Sequence, residues 1–170
     1  MGYQLIGAVL VFAGCGGLGF QLAASHRRET ATLMKLIHLL DFMTCELQYR
    51  LTALPDLCRL AARETDGVLN RVFTAFSEEL ESQLVADVSL CMNAALLKVK
   101  GLPGETEKCL RMLGGSLGRF DLPGQVQGLE AARSHCRQQY EFLTKNQDDR
   151  LRSYQTLGLC AGAALAILFI

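Results

Sequence analysis

Both ends of this chain are free of formal charge. All 17 basic and 17 acidic residues lie between Arg27 and Arg152, which leaves two apolar, Gly-rich runs, Leu5 to Ala24 and Leu157 to Ile170. This partition predicts that both ends sit in a membrane. The first run holds about 20 residues, so as a helix it reaches about 30 Å, one hydrocarbon thickness. Its only polar interruption is Gln21. The second, at about 14 residues and about 21 Å, spans only if Tyr154 to Thr156 join it at the interface or the bilayer thins locally.

Processing signals fit the first run poorly. A cleaved signal peptide needs a basic leading region, and Met1 to Gln4 contains neither Lys nor Arg. Phe12-Ala13-Gly14-Cys15 only faintly matches a lipoprotein cleavage box, because Phe replaces the usual aliphatic and apolar sequence continues past the Cys. Ile6 stands where a myristoylation signal has Ser or Thr. Arg27, Arg28 and Lys35 follow the first run, and Lys145, Arg150 and Arg152 precede the second. Cationic flanks stay on the cytoplasmic side, so the middle of the chain is expected in the cytoplasm with both termini outward. The expected organisation is an N-terminal transmembrane helix over 1–26, a cytoplasmic helical bundle over 27–153 and a C-terminal transmembrane helix over 154–170.

The middle is long enough for one small domain with its own core. Its net charge is zero and no basic run alternates with aromatics, which argues against nucleic acid as a partner. The cysteines Cys15, Cys45, Cys58, Cys91, Cys109, Cys136 and Cys160 form no CxxC pair and no zinc-type spacing, so they are expected as reduced, buried thiols. His26, His38 and His135 fall on separate elements. No cofactor and no metal is implied.

Helical periodicity fills the middle, and no alternating strand pattern appears, so the domain is expected to be all-α. Leu33, Leu36, Ile37, Leu40, Met43, Leu47 and Leu51 make one apolar face on a first helix from about Thr30 to Arg50, continuing directly from the first run. Leu54-Pro55 opens a short second helix with Leu57, Leu60 and Ala61 inward, stopped at Thr65-Asp66-Gly67. A third, about Val68 to Ser82, carries Leu69, Val72, Phe73, Phe76 and Leu80; a fourth, about Asp87 to Lys98, carries Val88, Cys91, Met92, Ala95 and Leu96. After the loop Gly101-Leu102-Pro103-Gly104, a fifth helix from Glu105 is expected to end between Gly114 and Gly118. Asp121 is placed to cap a sixth, with Val126, Leu129, Ala132, Cys136, Tyr140 and Leu143 as its buried stripe. Six helices with short loops and no internal repeat predict a compact bundle whose first and last helices are the membrane stems.

Gly114-Gly115-Ser116-Leu117-Gly118 satisfies the GxSxG pattern of a hydrolase nucleophile elbow, but that elbow requires a strand before the Ser, and an amphipathic helix precedes it here. A helix break is the better account. The same glycines lack the Lys-Ser/Thr of a phosphate loop. No catalytic constellation is found.

Several ordered motifs resemble a known family. They are Leu5-Ile6-Gly7-Ala8-Val9; Glu46-Leu47-Gln48-Tyr49 leading to Thr52-Ala53-Leu54-Pro55; Lys100-Gly101; Leu113 to Asp121 with Gln125 behind; and Leu157-Gly158 opening the closing helix. Their order and spacing are similar to the stage III sporulation protein AB family of endospore-forming bacteria, over essentially the whole length. Ala53 stands where that family usually has Pro, Arg50 where it has a small residue, and no Pro follows Arg28. The resemblance implies a complete C-terminus and a fold like the cytoplasmic domain of the type II secretion platform protein F. It also implies a non-enzymatic role in the channel-like complex between mother cell and forespore. The implied partner is the complex's secretion-type ATPase, a stage III sporulation protein AA-like protein, along with other membrane proteins of the channel.

Two other classes share part of these features. A generic membrane-anchored adaptor would have the hairpin and bundle without the sporulation-like motifs, and a membrane hydrolase would use Ser116. On the sporulation reading, Glu46, Tyr49, Leu54 and Pro55 around one turn and Leu117, Asp121 and Gln125 around another hold or shape a partner surface. Gly158, Gly162 and Ala166 form a small-residue stripe that lets the closing helix pack on the first span or on another copy of the chain.

Overall fold

A computed structural model describes the backbone over 2–82, 87–117 and 121–169, and side chains at 25, 27–82, 87–117 and 121–145. Among the described residues the protein is all-α, with six helices in the expected order. They are α1 Gly2–Arg50, α2 Leu54–Glu64, α3 Gly67–Ser82, α4 Val88–Lys98, α5 Gly104–Ser116 and α6 Leu122–Phe169. Backbone helix therefore runs without a break from the first apolar run into the bundle, and from the bundle into the second.

The chain divides into two compact units, one of Met1–Arg28 with Glu141–Ile170 and one of Glu29–Tyr140. The two apolar runs, and Gly158, Gly162 and Ala166 with them, lie outside the described side chains. Among the residues that are described, no helix is long and apolar enough to cross a membrane.

The core of Glu29–Tyr140 follows the three-and-four spacing. Leu33, Leu36, Ile37, Leu40, Met43 and Leu47 of α1 are buried, with Leu39 beside them. Phe73 and Phe76 of α3 and Met92 of α4 are fully enclosed, and Leu129, Ala132 and Cys136 of α6 close the interior. Burial of each large side chain contributes about 1.5–3 kcal/mol. Three expected inward positions, Leu60, Leu80 and Val88, are only half-buried, as are Val126, Tyr140 and Leu143 of α6. Leu51 is exposed, a correction to the α1 stripe: the helix stops at Arg50, so the period that placed Leu51 inward no longer applies. Cys45 is exposed as well, whereas Cys58, Cys91, Cys109 and Cys136 are buried.

Helix ends are capped by identifiable groups. Asp87 accepts from the Ser89 N–H at 2.9 Å, so it precedes α4 as its N-cap and is not a helical residue. Asp121 accepts from the Gly124 N–H at 3.3 Å at the start of α6. Helix α5 starts behind Pro103, which has no side-chain acceptor; instead the Glu29 carboxylate of α1 accepts from the Glu105 N–H at 2.8 Å. A carboxylate there also meets the positive end of the α5 dipole. At the end of α2, Thr65 Oγ1 donates to the Ala61 carbonyl at 3.0 Å and Asn70 Nδ2 to the Ala62 carbonyl at 2.7 Å. Gly67, with φ +66°, then makes the left-handed turn that a side chain rarely tolerates.

Candidate functional site

The two helix breaks that carry the family-like motifs are built in opposite ways. At the first, α1 ends at Arg50 and Leu51 takes φ 53°, the left-handed region usually left to Gly. Leu51 is 66% exposed and Tyr49 is 83% exposed. Their apolar surface is presented to solvent on a backbone that is costly for a Leu.

Glu46, one turn earlier, has a side chain only 14% exposed and reaches Arg50 at 3.5 Å through Oε1. Its Oε2 is buried without a hydrogen-bond partner. A buried carboxylate oxygen left unpaired is unfavourable by about 1–3 kcal/mol or more. Leu54 and Pro55, half-buried in the first turn of α2, flank it in sequence. The Leu57 N–H donates to the Ala53 carbonyl at 2.8 Å and so fixes that turn of α2.

The second break is packed. Leu117 is fully buried and closes α5 by donating its N–H to the Leu113 carbonyl at 3.0 Å. Its side chain therefore shapes the interior and is not offered to a partner. Asp121 is exposed but is engaged as the α6 cap, and the Gln125 N–H donates to its carbonyl at 2.9 Å. Gln125 itself is half-buried.

The glycines before this break are not breakers. Gly114 and Gly115 both lie inside α5. A Cβ on Gly114 would stand 2.5 Å from Met92 Cβ, so Gly is required for the close approach of α4. A Cβ on Gly128 of α6 would stand 2.7 Å from Ser116 Cβ. Ser116 Oγ donates to the Leu113 carbonyl at 2.9 Å, an ordinary bond back along its own helix.

Several ionisable groups elsewhere pair between helices of the bundle. Arg133 of α6 pairs with Asp41 of α1, Lys98 of α4 with Glu79 of α3, and Arg59 of α2 with Glu81 of α3 at 3.0 Å. The Glu79 hydrogen bond and charge raise Lys98 above the usual lysine value. Burial raises the Cys58 thiol strongly. Cys109 of α5 and Cys136 of α6 share a thiol hydrogen bond, which lowers Cys109 against the opposing effect of burial and, together with burial, raises Cys136. His38 is exposed and His135 half-buried, and among the described residues no group of His, Cys, Asp and Glu could hold a metal ion.

Comparison with known proteins agrees with this architecture. A solved structure of Stage III sporulation protein AB matches with a TM-score of 0.62 at 20% identity, covering 72% of this chain and 98% of that one, a likeness that shows a shared fold. Stage III sporulation protein AB of Bacillus subtilis (strain 168) is 22% identical over 170 residues, which is 98% of this chain and 99% of that protein. The sequence model of the Stage III sporulation protein AB family matches residues 4–170, and the chain therefore belongs to that family.

Proposed function

We infer that the chain has a role in sporulation, which its family membership supports. We propose that it is a two-pass membrane protein whose helical bundle lies in the cytoplasm and acts, without catalysis, as a platform. It couples a secretion-type ATPase, a stage III sporulation protein AA-like protein, to the membrane parts of a mother cell to forespore channel-like complex needed for endospore formation. The observation that carries the membrane half of this reading is the confinement of every charge between Arg27 and Arg152, which leaves two apolar runs that α1 and α6 extend through as helix.

Topology has a direct test, because Cys45 is exposed while Cys58, Cys91, Cys109 and Cys136 are buried. An impermeant thiol reagent is expected to leave Cys45 unlabelled in intact cells and to label it after permeabilisation. Labelling in intact cells would reverse the orientation.

The partner half rests on the α1–α2 turn. Tyr49 and Leu51 are exposed there beside the unpaired Glu46 Oε2, and the motif Glu46, Tyr49, Leu54, Pro55 surrounds them. Leu117, Asp121 and Gln125 serve this reading only indirectly, by keeping the other break in shape. Tyr49→Asp and Glu46→Gln are expected to abolish co-purification with the ATPase and to block sporulation, with helical content and membrane insertion unchanged. Full co-purification in both variants would remove the turn from the interface. Ser116→Ala is expected to sporulate normally, and a sporulation defect with intact folding would reopen a catalytic role.

A further inference from the structure

Cys109 of α5 and Cys136 of α6 are both buried, and their sulfurs share a hydrogen bond across the seam between the two helices. The packing of that seam accounts for the contact. Helices α5 and α6 approach closely at Ser116 and Gly128, where an added Cβ would stand 2.7 Å from Ser116 Cβ. Only a short connection separates the two helices, so they pack antiparallel. Cys109 lies about 10 Å back along α5 from Ser116, and Cys136 about 12 Å forward along α6 from Gly128. These steps match, so both thiols reach the same level of one seam. Leu113 of α5 and Leu129 and Ala132 of α6, all buried, fill it between the two levels.

The other buried thiols are placed differently. Burial pushes Cys58 up strongly, and burial together with the charges of Glu79 and Asp87 pushes Cys91 up, so both stay protonated. Cys91 Sγ has the Glu79 carbonyl as its neighbour, at 3.9 Å. At Cys109 the hydrogen bond from Cys136 outweighs burial and favours the thiolate, the form that attacks an oxidant. Cys136 keeps its proton, as the donor in that bond.

We propose that Cys109 and Cys136 form a redox latch, closed by a small hydroperoxide and opened by a free thiol, which staples α5 to α6. The Cys109 sulfur attacks the peroxide O–O bond and keeps one oxygen as a sulfenic acid. The other oxygen leaves with a proton, as water from hydrogen peroxide or as an alcohol from an organic hydroperoxide. The Cys136 sulfur then attacks the Cys109 sulfur and displaces the remaining oxygen, which departs as a second water carrying the Cys136 proton. Two thiols lose two electrons, and the O–O bond gains them. Exchange with a free thiol restores both cysteines. Enclosure of the pair excludes bulky oxidants, and the contact between the sulfurs lets the second step outrun further oxidation of Cys109. The closed link encircles the α5–α6 break and would stiffen that end of the bundle. It requires neither the ATPase nor a particular membrane orientation.

Full-length protein in detergent, treated with hydrogen peroxide and then digested under non-reducing conditions, is expected to yield a Cys109–Cys136 disulfide by mass spectrometry. Dithiothreitol is expected to remove it. The oxidised chain is expected to melt roughly 10 °C higher than the reduced one, since the link constrains the unfolded chain. Cys136→Ser is expected to leave Cys109 as a sulfenic acid that dimedone labels, whereas Cys109→Ser is expected to leave Cys136 unlabelled. The disulfide mapping on the unaltered chain stands whether or not these variants fold.

Oxidation of the exposed Cys45 without a Cys109–Cys136 link would overturn the latch, as would a link that forms only in urea. Dimedone labelling of Cys136 in the Cys109→Ser chain, with none of Cys109 in the Cys136→Ser chain, would overturn the assigned order of attack. An unchanged melting temperature in the linked protein would overturn the staple.

Discussion

The α1–α2 turn and the α5–α6 break have the same kind of sequence signature, a cluster of family-like residues where a helix stops, yet they do different physical work. At the first, Tyr49 and Leu51 are turned outward, Leu51 adopts a backbone conformation unfavourable to it, and the Glu46 carboxylate keeps an unpaired buried oxygen. At the second, Leu117 is enclosed, Asp121 caps a helix, and Ser116 packs against a glycine. A left-handed Leu and an unpaired buried oxygen mark the first break, whereas the second is held by a helix cap and a buried Leu. A family motif at a helix end is therefore ambiguous until its exposure and hydrogen bonding are known.

The sharpest way to break this contrast is truncation on each side. Leu117→Ala is expected to destabilise the full chain in detergent by about 2–5 kcal/mol, the range for a fully buried Leu. Tyr49→Ala is expected to stay within about 0.5 kcal/mol, as for a surface site. Urea titration followed by circular dichroism measures both. A large loss at Tyr49 would make that turn part of the core, contrary to its exposure.

The glycines refine the contrast at the next level of magnitude. Gly114→Ala and Gly128→Ala force contacts of 2.5 Å and 2.7 Å with side-chain carbons close to the backbone, so a neighbouring helix has to move. Each is expected to cost about 1–3 kcal/mol. A Cβ on Gly115 meets nothing within 4 Å, and Gly115→Ala is expected to stabilise by about 0.5–1 kcal/mol through helix propensity alone. Equal effects at the two adjacent positions would contradict the packing described for α4 on α5.

These positions also mark what the sequence could and could not carry. Spacing of three and four identified the buried faces of α1, α3 and α4 because burial is a local, repeating property of a helix. It failed at Leu51 because periodicity contains no information about where the helix stops, and no Gly was present to signal the left-handed residue. Gly114 and Gly115 read as a break because Gly lowers helix propensity. The reason for Gly114 is Met92 on another helix, which no local pattern reveals. The cap on α5 was hidden for the same reason, since Glu29 lies far away in sequence. Asp121 and Pro55 were legible because caps and proline act within one turn. The exposure of Cys45 corrects the expectation of a buried thiol there, because Cys45 falls outside the apolar stripe of α1 that holds Leu47.

Relief of the strained turn gives a smaller effect of opposite sign. Leu51→Gly removes the steric cost of a left-handed Leu, about 1–2 kcal/mol, and adds the greater backbone entropy of Gly in the unfolded chain, about 0.5–1 kcal/mol. The net is a stabilisation of about 0–1.5 kcal/mol. If the turn is held in this form to present Leu51, the variant is expected to be more stable and to bind the ATPase less well. A variant that is more stable and binds normally would separate the strain from the partner surface.

The smallest effect is at a third turn, between α2 and α3, where an exposed ion pair joins Lys35 of α1 to Asp66 at 2.5 Å. The Lys35 hydrogen bond and charge hold the Asp66 carboxyl below its usual value. A carboxylate with a depressed folded value adds stability above its unfolded value, near pH 4, and loses that contribution as pH falls through the folded value. Both partners are mostly exposed, so the contribution is small and screened by salt. Asp66→Asn is expected to lower the melting temperature slightly at pH 7 in dilute buffer, and the difference from the parent should vanish toward pH 2 or in high salt. The turn itself is held by Thr65, Asn70 and the left-handed Gly67, so helical content is expected to be unchanged. A difference that persists in acid would show that Asp66 acts through the turn's backbone and that this turn belongs with the packed α5–α6 break.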